Sequence, residues 1–105
     1  MKFRPPANEV PSWTFLTNHA HVLLCIAQDP DVRLVDIAQQ VGIGERAVHS
    51  IVSDLVEAGY VIRHKQGRNN SYEVRLDRPF RHPLEAGHKV SEIFKPFTRQ
   101  TRSRG

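Results

Sequence analysis

The side chains best equipped for chemistry in this chain are its six histidines and its single cysteine, because imidazole and thiolate are the usual ligands of zinc and the usual base and nucleophile of covalent catalysis. Their spacing supports neither role. His19 and His21 point to different sides of a helix, and only His21 with Cys25, at i and i+4, share a ligand face. Two such groups do not complete a tetrahedral zinc site. Cys25 reads instead as a small buried apolar residue, and a lone cysteine allows no intramolecular disulfide and fits a reducing compartment. No glycine-rich phosphate loop, Ser-His-Asp arrangement or pair of catalytic carboxylates is present, and Asp29 and Asp31 flank Pro30 as a helix stop would. The chain is therefore expected to be no enzyme and to need neither metal nor cofactor.

Arginine offers the other chemistry. The chain of 105 residues carries a formal net charge of +4, and 11 of its 15 cationic residues are arginine, whose planar fork suits phosphate and guanine edges. The charge is uneven, with 4 basic and 7 acidic residues in positions 1–59 against 11 basic and 4 acidic in positions 60–105. A polyanionic partner is the natural expectation. No apolar run is long enough for a membrane span or a signal segment, so a cytoplasmic protein with no membrane partner is expected.

The length supports one domain. Residues 12–97 are expected to form it, between a proline-rich flexible arm over 1–11 and a flexible basic tail over 98–105. The first helix opens at Thr17 or Asn18, runs through a segment apolar on nearly all sides, and stops at Asp29-Pro30. A two-turn helix over VDIAQQV ends at Gly42, and a third runs from about Gly44 to Ala58 with Val48, Ile51, Val52 and Leu55 as one buried stripe. Strands YVIRHK and SYEVRL follow, joined by a turn over residues 66–70 in which Gly67, Asn69 and Asn70 tolerate positive φ. Segment LEAGHKVSEIFKPF offers Leu84, Val90, Ile93, Phe94 and Phe97 as the apolar side of a last helix, and Val32-Arg33 suits a further short strand. The resulting class is mostly α with a small β-hairpin wing, an α+β arrangement.

The segment LVDIAQQVGIGERAVHSIV resembles the helix-turn-helix of winged-helix regulators: Ala38 is small where two helices cross, Gly42 supplies the turn, and Val48 and Ile51 pin the second helix to the first. Its continuation DLVEAGYVIRHKQGRNNSYEV resembles the wing-bearing segment of the multiple-antibiotic-resistance (MarR) and arsenical-resistance (ArsR) repressor families. The resemblance implies a winged helix-turn-helix that binds double-stranded DNA as a transcriptional repressor, with any effector ligand left open. The cysteine-bearing metal motif of the arsenical-resistance sensors is missing here. Helical periodicity independently gathers Arg46, His49, Ser50 and Ser53 on the face opposite the buried stripe, with Arg46 placed to read guanine. The wing adds Arg63, His64, Lys65, Gln66, Arg68 and Asn69 for backbone or minor-groove contacts, and Gln39 lies within reach of phosphate.

A single winged helix reads few base pairs, so a homodimer is expected, built from Trp13, Phe15, Ile93, Phe94 and Phe97 outside the core and wing. Two other classes make contrary demands. A protein-interaction module of the same fold would not need steep salt dependence, and a single-strand or RNA binder would expose aromatics where Tyr60 and Tyr72 occupy core strand positions.

Overall fold

The computed structural model describes residues 11–102, in the order α1 (Asn18–Gln28), α2 (Leu34–Val41), α3 (Glu45–Glu57), β1 (Val61–Gln66), β2 (Asn69–Val74) and α4 (Ser91–Arg102). Most of the arm expected over 1–11, and the end of the expected tail, lie outside the described residues. Local chemistry explains each boundary. Thr17 caps α1 by accepting the Ala20 N–H at 3.3 Å on its hydroxyl, and the helix stops where the Asp29 carboxylate accepts the Asp31 N–H around Pro30. α2 ends on Gly42 at φ 86°, where the N–H groups of Gly42 and Ile43 both bond the Ala38 carbonyl. α3 closes on Gly59 at φ 89°, with Tyr60 N–H bonded to Leu55 C=O and Gly59 N–H to Val56 C=O, the paired bonds of a Schellman cap.

One core holds these helices together. α1 packs against α2, α3, α4 and β2, and Ile26, Ile37, Val22, Val48, Val52 and Val61 are almost wholly enclosed. Among the described residues no polar or charged residue is buried, so the core carries none of the desolvation cost that such a group brings. β1 and β2 form an antiparallel hairpin that pairs Val61 with Val74 and Gln66 with Asn69. Its roots, Val61 and Tyr72, are anchored in the core while its tip projects into solvent. Three helices and a wing make this a winged helix-turn-helix, the fold class expected from the sequence.

Three local expectations need correction. The hairpin turn is two residues long, and Gly67 alone has positive φ, at 64°, while Arg68 does not; a glycine at the first central position is the signature of a type II′ turn. Asn69 and Asn70 are thus strand residues paired with Gln66 and Lys65. Second, no strand forms at Val32-Arg33 among the described residues; one backbone bond, Tyr72 N–H to Pro30 C=O at 2.9 Å, ties this segment to β2. Third, the last helix begins at Ser91 and not near Leu84, and Leu84 is 88% exposed.

The cause of the late start is an antiparallel pairing that periodicity cannot show. Val90 N–H bonds Arg78 C=O, Phe80 N–H bonds His88 C=O, and Pro79 bridges Lys89, which draws residues 88–90 away from helical geometry. Tyr60 holds the other side by donating its hydroxyl to the Pro79 carbonyl at 2.5 Å. Glu92 then opens α4 by accepting the Lys89 N–H at 2.9 Å and bonding His88 Nδ1 at 2.7 Å. The Lys89 N–H first, and His88 second, hold the Glu92 carboxyl below the usual carboxylate range. α4 continues to Arg102, past Phe97, and carries Pro96 in its second turn.

Candidate nucleic-acid interface

The face of α3 turned away from the core presents Arg46, His49, Ser50 and Ser53, all exposed, while Val48, Ile51, Val52 and Leu55 line its buried side. This division follows from placing four apolar residues at i, i+3, i+4 and i+7 in a chain whose helix is fixed against α1 and α2. Acidic Asp54 lies on one flank, and its Oδ2 sits 2.8 Å from His19 Nε2, so α1 and α3 are tied at the surface. Both partners are about half exposed, and such a pair contributes ~0–1 kcal/mol.

The register of the wing splits its donors between two sides. Arg63 and Lys65 lie on the side of Tyr72 and Asn70, whereas His64 and Gln66 lie on the side of Ser71 and Asn69. Arg68 occupies the second turn position at the tip. All of these donors are exposed, and His64 Nε2 lies 3.2 Å from Glu73 Oε1 on the same side. Gln39 is exposed at the end of α2.

Sequence reasoning missed Arg33. It stands at the N-cap of α2 without a capping bond, its guanidinium 3.3 Å from Asp36, and it lines a cleft with Gln66, Arg68, Asn69 and Asn70 of the wing. The signal was an arginine where a helix start favours Ser, Thr, Asp or Asn.

Phe94 must leave the interface set. It is 3% exposed and belongs to the chain's own core together with Val90, the residue just before α4. Ile93 and Phe97, beside Phe94 on the same helix, are each 43% exposed, and Trp13 and Phe15 are 69% and 92% exposed in an edge-to-face pair with ring centres 5.3 Å apart.

Among the described residues no three His, Cys, Asp or Glu side chains are grouped as a metal site, and no helix is long and apolar enough to cross a membrane. Cys25 is buried, donates to Gln40 Oε1 at 3.5 Å, and has its thiol pKa pushed up by desolvation. It is expected to react with a thiol reagent at pH 8 at least about tenfold slower in the native protein than in denaturant. Equal rates in the two states would contradict this placement.

Residues 17–62, which take in α1, α2, α3 and the start of β1, match the family model for winged helix-turn-helix DNA-binding. No curated protein matches the chain. Five chains of solved structures do, and one is the zinc-dependent MarR family transcriptional regulator AdcR in its Zn(II)-bound state, at 14% identity and a TM-score of 0.46. That alignment covers 89% of this chain and 55% of the regulator, so the chain spans about half the length of that protein.

Proposed function

We propose that this chain is a sequence-specific, duplex-DNA-binding transcriptional regulator that acts in the cytoplasm as a homodimer and represses by occupying its site. The observation that carries the reading is the two-sided α3: one side wholly given to the core, the other to Arg46, His49, Ser50 and Ser53. A helix of this width fits the major groove, and an arginine near its N-terminus can bond guanine O6 and N7 with both arms of its fork. The wing, projecting beside it with Arg63, Lys65 and Arg68, is suited to the backbone or the minor groove. Arg33, at the N-cap of α2, and Gln39, exposed near its end, are assigned backbone contacts with the same partner. Selection of bound duplexes from a random pool at physiological salt tests the proposal. The expected product is a pseudo-palindrome with half-sites about 10–10.5 base pairs apart or a multiple of that. A pool without enrichment would refute sequence-specific recognition.

Dimerisation is assigned to Trp13, Phe15, Ile93 and Phe97, four of the large apolar side chains left exposed, two near each end of the described chain. Aromatic anchors of this kind are concentrated in interfaces. Sedimentation at tens of micromolar is expected to give a dimer for the wild type and a monomer for Ile93→Asp. A wild type that sediments as a monomer without DNA would remove the preformed dimer.

A further inference from the structure

We propose that DNA binding by this surface is coupled to proton uptake, with His19, His49 and His64 taking up the protons; the inference rests on the duplex reading above. It starts from a charge balance. α3 and the wing carry four cationic side chains, Arg46, Arg63, Lys65 and Arg68, and four carboxylates, Glu45, Asp54, Glu57 and Glu73. With neutral imidazoles, the elements offered to the polyanion therefore have no net charge. The chain's positive excess lies beyond them, in residues 75–105, which hold eight basic and three acidic residues.

Each of the three histidines stands where a proton changes that balance. His19 faces Asp54 of α3 at 2.8 Å, and Arg81, His82 and Glu85 of the segment before α4 line the same hollow. His64 faces Glu73 across the hairpin at 3.2 Å, with Arg63 and Lys65 beside it in β1. His49 lies on the open side of α3, one turn from Glu45, Arg46 and Ser53. The His19 and His64 side chains are each about half open to solvent, and His49 is exposed. Protonation cancels Asp54 and Glu73 locally and adds a cation at His49, and a nearby row of phosphates favours the charged imidazole in return. Histidine is the side chain that ordinarily makes this change between pH 5 and 8. Lower pH is thus the tighter-binding direction.

The test uses the full chain and a fluorescein-labelled random-sequence duplex, with affinity and its salt dependence measured at pH 6 and pH 8 and proton uptake counted by calorimetry in two buffers. The wild type is expected to bind at least about tenfold tighter at pH 6, with a salt slope steeper by up to about 0.9 for each proton held. A variant combining His19→Gln, His49→Gln and His64→Gln is expected to bind at pH 6 no better than the wild type at pH 8. Asp54→Asn with Glu73→Gln is expected to bind more tightly at pH 8 and to shrink the pH effect. Salt-dependent binding of equal strength at both pH values, without proton uptake, overturns the coupling and leaves the duplex reading standing. An undiminished pH effect in the triple variant, with its thermal unfolding unchanged, overturns the assignment to these histidines. Absence of duplex binding at both pH values overturns the duplex reading and the coupling together.

Discussion

Replacing Ile26 by alanine is expected to lower the free energy of unfolding by about 2–5 kcal/mol. Ile26 is fully enclosed in α1, the helix that touches α2, α3, α4 and β2. Removing three carbons there forfeits their transfer free energy and leaves a cavity that four surrounding elements cannot all close. At roughly 4–8 °C per kcal/mol for a domain of this size, the midpoint of thermal unfolding should fall by about 10 °C or more. Val35→Ala is the matched control. Val35 lies in α2 but is exposed, so its truncation should change stability by no more than about 0.5 kcal/mol. Equal melting temperatures for Ile26→Ala and the wild type would mean that α1 is not the centre of the core.

The second large effect concerns binding. Arg46→Ala is expected to cost roughly 1–3 kcal/mol on the preferred duplex and little on unrelated DNA, because a base-reading contact exists only at the right sequence. Arg68→Ala should weaken both duplexes by similar factors and reduce the salt slope by about 1, as loss of a phosphate contact does. The difference comes from position: Arg46 is in the first turn of the outward face of α3, whereas Arg68 is at the tip of the hairpin. Competition titrations with the two duplexes measure all four affinities. The reverse pattern would exchange the roles of helix and wing.

The elements that position this surface were legible in the sequence because each is set by local chemistry. The stripe of Val48, Ile51, Val52 and Leu55 predicts α3 and its open face, Thr17 predicts the start of α1, and Gly42 predicts the turn between α2 and α3. What was not legible depends on contacts distant in sequence. Leu84 is an apolar residue in the stretch expected to open the last helix, yet the pairing of Pro79 with Lys89 diverts that stretch. Phe94 and Phe97 are equally apolar in sequence, and packing against the core decides which of them is covered. Asn69 looked like a turn residue because asparagine tolerates positive φ, but Gly67 alone meets that need in a two-residue turn. Arg33 shares a cleft with Arg68 of the wing, a proximity that no local pattern in the sequence shows.

The central claim, that α3 and the wing engage the charged backbone of duplex DNA, is tested most directly by the salt dependence of binding. Affinity for a fixed duplex should be measured from about 50 to 200 mM salt at one pH, with Arg46, Arg63, Lys65 and Arg68 as the principal cations. Each phosphate neutralised releases counterions, so the logarithm of the affinity is predicted to fall linearly with the logarithm of salt concentration, at a slope of about −3 to −4 for each chain bound. A flat response over that range would contradict the account.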